Sequence, residues 1–178
     1  MLFPGGRLPL RLFERRYLDM ASACLRAQSP FGVCLIREGA EVGAPATPHE
    51  VGTLARIVEW DMQQLGVLQI VATGGQRFRV LSMKTGSGLI QASVDLLPVE
   101  SDSAIPSSCA PCVSLLERVL EEHPALVERP HRFDSSAWVS THLAQLLPLP
   151  LELKQALLEL DDGGARLARL NAFLPAPS

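Results

Sequence analysis

The pair Cys109-Ala-Pro-Cys112 is the spacing in this chain best suited to chemistry. A thiol–disulfide exchanger uses such a pair with its first cysteine at a helix N-terminus, where the dipole lowers the thiol pKa. A helix is predicted to follow Cys112. The preceding residues, however, form a Ser/Pro linker and not the strand of a βαβ unit that redox motifs of this kind occupy. As zinc ligands the two thiols lack partners, because no second CxxC exists and His123 and His131 are too far apart for the usual histidine pair. The plainer reading is two linker cysteines. Cys24 and Cys34 sit in apolar runs and read as buried thiols.

The remaining reactive side chains form no catalytic set. Lys84-Thr85-Gly86 is one element of a serine-enzyme signature whose Ser-x-x-Lys is missing, so it reads as a turn. Neither GxxxxGK[ST] nor GxGxxG occurs. His49, His123, His131 and His142 are not spaced with a Ser or Cys as a nucleophile pair. Glu121-Glu122 and Asp161-Asp162 read as helix-end charges. These patterns imply no catalytic residue, no cofactor and no metal site. Arg77 and Arg79 share one face of a predicted strand and could contact an anion, although such pairs more often form a solvated outer face.

The elements that would position these residues centre on Val51 to Ser82. Gly52 to Trp60 is a nearly unbroken apolar run, predicted as a strand buried on both faces. Asp61 to Gly66 reads as a hairpin loop, and Val67 to Thr73 as the returning strand. Gly74-Gly75 marks either a tight turn or a bulge. Arg77-Phe78-Arg79-Val80 then alternates. Before this region come strand fragments in 1–13, a helix over 14–28 and a buried strand from Phe31 to Ile36. The loop from Arg37 to Glu50 is expected to be mobile at its tip. After a turn at Lys84 to Gly88, Leu89 to Leu97 alternates as a half-exposed strand.

Beyond Pro98 the period changes. VESDSAIPSSCAP reads as a linker, and the apolar residues after it recur at helical spacing. Asp134 or Ser135 is expected to cap a helix carrying Trp138, Val139, Leu143 and Leu146, and Asp161-Asp162 to open the last one. The expected organisation is α+β: a β-rich subdomain with one helix over 1–98, a linker over 99–111 and a helical bundle over 112–178. Phe78, Val80, Ile57 and Trp138 are the expected core residues.

Composition agrees with a folded chain. Its 178 residues are 47% hydrophobic, and a chain of this size buries about 70% of its unfolded surface. No apolar stretch reaches the roughly 18 residues a membrane span needs, and the first residues lack the pattern of a signal peptide. A cytoplasmic location without membrane contact is the resulting expectation. The formal net charge is −3, without the clustered basic excess of a nucleic-acid binder.

Four motifs in order, the second made of two stretches, resemble the Lon N-terminal domain family. Arg11-Leu12-Phe13-Glu14-Arg15-Arg16-Tyr17-Leu18-Asp19-Met20 is similar to its R-[IL]-F-E-x-R-Y-x-x-M signature. Phe31-Gly32-Val33 and Val51-Gly52-Thr53-Leu54-Ala55-Arg56-Ile57 resemble its FGV and VGT-x-A-x-I. Arg77-Phe78-Arg79-Val80 and Leu147-Pro148-Leu149-Pro150-Leu151-Glu152-Leu153-Lys154 resemble its R-F-R-V and LL-x-L-P-x-x-x-K. The resemblance implies a PUA-like β-barrel followed by a helical bundle, in a region that helps the protease recognise substrate and assemble its oligomer. The ATPase and peptidase lie in later domains of that family, so nothing catalytic carries over to these residues. The family normally opens with one more strand before the Leu2-Phe3-Pro4-Gly5 found here, which implies either a misassigned start or an open sheet edge.

The expected function is therefore non-catalytic binding of polypeptide: unfolded segments, degradation substrates or a protease partner, with a homo-oligomer as a further partner. The expected contacts are Leu2, Phe3, Pro4, Trp60, Met62 and Leu65, which are apolar and near sheet ends. The alternative is an RNA-binding PUA-like module, which the charge balance disfavours. A CxxC redox protein or hydrolase ranks behind both.

Overall fold

The computed structural model describes residues 1–39, 46–85 and 88–174. The tip of the Arg37–Glu50 loop and the centre of the Lys84–Gly88 turn therefore lie outside the described residues. The chain divides into two compact units, Met1–Leu97 and Pro98–Ser178.

The first unit is built on two long strands. β5 (Val51–Gln64) and β6 (Val67–Thr85) form one antiparallel hairpin. The turn is only Leu65-Gly66, with Gly66 at φ +82°, a conformation that glycine adopts without a Cβ penalty. The loop expected over Asp61 to Gly66 is thus mostly strand. Trp60, Asp61 and Gln64 continue the pairing with Ile70, Gln69 and Val67. Tight-turn chemistry sits in one glycine, which a polar run around it conceals. Gly74-Gly75 does not turn the chain. The register shifts between Thr53 and Ala55, where β6 carries one extra residue, so β6 runs through this point with a bulge.

β1 (Arg7–Leu12) pairs with the first half of β6, and β7 (Ile90–Leu96) with its second half. β2 (Phe31–Val33) pairs with β5 only at Thr53–Ala55. The path β1-β6-β5-β2 has two free ends, with β7 attached to β6. Among the described residues the pairing does not close into the barrel the sequence suggested. β3 (Ile36–Glu38) and β4 (Thr47–Pro48) make a separate small sheet. The strand expected from Phe31 to Ile36 is thus split between two sheets, and its last residue is exposed.

Helix α1 (Arg15–Ala27) ends at Gln28, which takes a left-handed conformation ahead of Pro30. Ala21, Tyr17 and Leu18 of α1 pack on Leu12, Leu68 and Ile70. A second cluster joins Leu2, Ala55 and Ala72 with Leu8, Phe31 and Val33 around it. Phe78 is buried as expected, whereas Val80 and Ile57 are half-buried.

The second unit is helical: α2 (Ala110–Glu122), α3 (Ser136–Leu146), α4 (Leu151–Leu158) and α5 (Gly163–Phe173), with short 3-10 turns at Ser107–Cys109 and Pro124–Leu126. α3 touches α2, α4 and α5, which is why even its Ser136, Ser140 and Thr141 are buried. Ser135 caps α3 by accepting from the Trp138 amide at 3.0 Å, and Asp162 caps α5 by accepting from the Ala165 amide at 2.8 Å. α5 begins against α3 so closely that a Cβ on Gly163 would lie 2.4 Å from Ala137 Cα. Trp138, expected in the core, is half-buried beside His131, Phe133 and His142.

The segment before α2 is bonded into this unit. Asp102 accepts from Ser135 Oγ (2.7 Å), the Ser103 amide (3.0 Å) and the Ala137 amide (3.1 Å). Arg166 is fully buried. It donates to Glu100 (2.5 Å), Thr141 Oγ1 (2.8 Å) and the carbonyls of Leu157 and Leu160.

Candidate functional site

β5 continues for nine residues past β2, from Arg56 to Gln64. Along that stretch, among the described residues, β6 is the one strand in register with it. A strand flanked on one side offers backbone donors and acceptors to an incoming extended chain.

Several apolar side chains on and beside this stretch are accessible. Val58 is 49% exposed, Trp60 62%, Met62 49% and the turn residue Leu65 96%. The ladder explains Trp60. One extra residue on β5 between Ile57 and Glu59 resets the alternation, and Trp60 comes opposite Ile70. Directly opposed residues share a face, so Trp60 extends the apolar face that buries Ile70 and Ala72 further back. The hairpin end simply outruns the core. Glu59 and Asp61 take intervening positions, and Glu59 is ion-paired with Arg7.

Leu2 and Phe3 do not belong to this surface. Each is 1% exposed. Thr53 Oγ1 donates to the Leu2 carbonyl at 2.8 Å, and the Gly5 amide donates to the Gly74 carbonyl at 2.7 Å. Leu2 and Phe3 are folded into the core, whereas Met1 and Pro4 on either side of them are half-accessible. Apolar residues at a sheet end are as good for filling a core as for meeting a ligand, and their spacing does not separate the two.

Arg77 and Arg79 also part company. Arg77 is 2% exposed, while the Arg79 side chain is half-exposed, 4.0 Å from Glu50. Alternation sets the side of the strand a residue points to; it does not set what covers that side. The two guanidinium groups therefore offer no joint exposed anion contact.

Both Cys109 and Cys112 are buried. Desolvation, with a smaller contribution from Cys109, pushes the Cys112 thiol up to about 11. Its Sγ donates to Asn171 Oδ1 at 3.6 Å. A buried thiol held protonated is the reverse of an activated thiolate. Burial likewise pushes Cys34 up to about 11. His142 is held below the usual histidine range, first by burial; its Nδ1 lies 2.8 Å from the Trp138 carbonyl. Among the described residues no three His, Cys, Asp or Glu side chains converge as a metal site. An open cleft lined by Glu14, Arg15, Arg16, Asp19, Met20, Leu89 and Gln91 is charged, but Arg16 is paired with Glu14 at 2.9 Å and Arg15 faces Asp19 at 3.4 Å.

Sequence reasoning missed Val58 and the backbone edge it belongs to, because Gly52 to Trp60 reads as doubly buried. The interruption of apolar residues by Glu59 and Asp61 is the signal that one side of this strand faces water.

Comparison with known proteins agrees with the fold. Residues 1–175 match the family described as the ATP-dependent protease La (LON) substrate-binding domain. Lon protease 2 of Myxococcus xanthus is 28% identical over 94% of this chain, which spans 21% of that protein. Protein cereblon of Gallus gallus is 33% identical over 61% of the chain and 23% of its own length. The chain thus spans about a fifth of the length of the Lon proteases it matches. The crystal structure of a Lon N-terminal domain protein from Xanthomonas campestris is 36% identical, covers 98% of this chain and 94% of its own, and superposes with a TM-score of 0.81. The N-terminal domain of a Mycobacterium avium complex Lon protease has the same fold at 19% identity, with a TM-score of 0.65 over 97% of this chain and 91% of its own. The matched part is the substrate-binding part of the protease, separate from its catalytic parts. The chain belongs to the Lon substrate-binding domain family.

Proposed function

We propose that the chain binds unfolded or extended polypeptide by strand addition along β5, with Trp60, Met62 and Leu65 as apolar contacts and Val58 beside them. The observation that carries this reading is the stretch Arg56–Gln64, which has a strand on one side and accessible apolar side chains along it. Main-chain bonds to the edge give sequence-tolerant affinity, and alternate apolar side chains give preference. Membership of a substrate-binding family supports a substrate role. Degradation substrates and a protease partner are the physiological ligands in this reading, in the cytoplasm. No helix among the described residues is long and apolar enough to cross a membrane. The residues described here act without catalysis. The PUA-like subdomain over 1–98 carries the site, and the segment over 99–111 joins it to a helical bundle over 112–178.

The affinity should be micromolar, about −8 kcal/mol, because a flexible ligand is ordered on binding. Fluorescence anisotropy with a labelled unfolded polypeptide, beside a structureless RNA of similar length, tests the reading. Saturable polypeptide binding supports it. RNA binding that weakens steeply with salt, without polypeptide binding, refutes it in favour of an RNA-binding module.

A further inference from the structure

The β6–β7 ribbon presents a second open edge, and we propose that it pairs with the same edge of a second copy of this chain. The inference is independent of the polypeptide reading. β7 pairs with β6 alone among the described residues, and all seven of its residues are exposed. Its sequence IQASVDL carries one charge, Asp95, and neither lysine, arginine nor proline. Those are the residues that usually protect an edge from pairing. The ribbon is anchored and not frayed: Arg16 of α1 donates to the Gly88 carbonyl at 2.6 Å, ahead of β7.

The ladder fixes one apolar face. Leu96 opposes Phe78, Val94 opposes Val80, Ala92 opposes Met83 and Ile90 opposes Thr85. Opposed residues share a face, so the face that starts at the buried Phe78 runs out along the ribbon through exposed Val94, Met83 and Ile90. Gln91, Ser93 and Asp95 point the other way. The open edge is self-complementary about Ser93. Antiparallel pairing of two copies centred there sets Ile90 against Leu96, Ala92 against Val94, Gln91 against Asp95 and Ser93 against itself. Apolar side chains then meet apolar ones, and the carboxylate meets a neutral amide. A slip by one residue would put the two apolar faces on opposite sides of the joined sheet. Centring on Asp95 would oppose like charges and shorten the overlap. Centring on Ala92 or Val94 keeps the apolar faces together but pairs fewer residues of β7, so strand overlap, with charge and register, favours the one isologous contact about Ser93.

Sedimentation velocity across micromolar concentrations, with two kinds of variant, tests this. The expected result is a monomer–dimer equilibrium that Ser93→Asp shifts toward monomer by about fivefold or more, because it opposes two like charges at the axis. Ser93→Cys should give a disulfide-linked dimer in a glutathione redox buffer, since opposed strand residues lie about 4.5–5.5 Å apart and a disulfide spans about that distance. Gln91→Cys should not, because its two copies would lie about 13 Å apart along the strands; it also controls for the native thiols. Circular dichroism shows whether Ser93→Asp is folded, and if it is not, the cysteine pair decides. A monomer at every concentration, a dimer indifferent to Ser93→Asp, or equal cross-linking of both cysteine variants would overturn the proposal. So would protection of β7 amides by unfolded polypeptide instead of by self-concentration, which would assign the edge to that ligand.

Discussion

Gly74 lies against Phe3 so closely that a Cβ at position 74 would stand 2.1 Å from the Phe3 carbonyl oxygen. The contact is between two backbones, with the Gly74 amide donating to the Gly6 carbonyl at 2.9 Å. Backbone cannot give way as a flexible side chain can. Gly74→Ala should therefore cost about 1–3 kcal/mol through displacement of the N-terminal segment. Chemical denaturation, with proteolysis near Leu2 and Phe3 as a local readout, checks this. An unchanged midpoint would mean the segment is not seated as described.

Trp60 is largely exposed and lies outside the buried clusters, so its removal separates binding from folding. Trp60→Ala should weaken unfolded-polypeptide binding about tenfold, in the range of an aromatic anchor at an interface, and leave the thermal midpoint unchanged. A parallel loss of stability and binding would place the indole in the fold instead of the site.

How much of this was legible in the sequence depends on what each residue's periodicity records. The helix at Arg15–Ala27, the bulge option at Gly74-Gly75, the burial of Phe78 and the Ser135 cap follow from local patterns, which act over a few residues. Arg77 and Arg79 were placed on one side correctly, yet one is covered and the other is not. Leu2 and Phe3 were assigned to a ligand although they fill the core. For the N-terminal segment the deciding neighbours, Thr53 and Gly74, are distant in sequence. β7 shows the same limit in reverse. Its alternation promised a half-buried strand, and it is exposed on both faces, because a period of two records a preference and supplies no covering layer.

Stability of the helical unit should fall with acidification in two windows. The folded His142 lies below its ordinary 6.5, first through burial and then through the neighbouring His131. As pH drops below 6.5 the unfolded chain takes up that proton first, so stability present above this pH erodes below it. Asp102 lies below its ordinary 3.8, mainly through the Ala137 amide and also through Ser135, Ser103 and Arg132. Its contribution is present above 3.8 and is lost as pH falls further. Denaturation of the chain as a function of pH should show a first decline that His142→Phe flattens, and a second that it leaves in place. A profile level from pH 7 to 4 would contradict the His142 assignment.

Arg166 and Glu100 form an ion pair whose guanidinium is wholly buried. Removing the guanidinium takes the opposite charge away from the mostly buried Glu100 carboxylate, so Arg166→Met should destabilise by about 3–5 kcal/mol. The double variant Arg166→Met, Glu100→Leu should recover part of that loss. Equal losses in the single and double variants would show that the carbonyls of Leu157 and Leu160, and not Glu100, are the partners that matter.

The nineteen residues of β6 pass through two neighbourhoods. From Leu68 to Thr73 the strand has β1 on one side and β5 on the other; from Ser82 onward it has β7 alone. A single strand should then carry two clocks for amide–deuterium exchange. The doubly flanked amides can exchange only when the hairpin core opens, near the global unfolding free energy, while those toward Thr85 exchange through local fluctuations of the ribbon. One covalent segment thus reports at one end the integrity of the sheet and at the other any molecule that comes to rest on its edge.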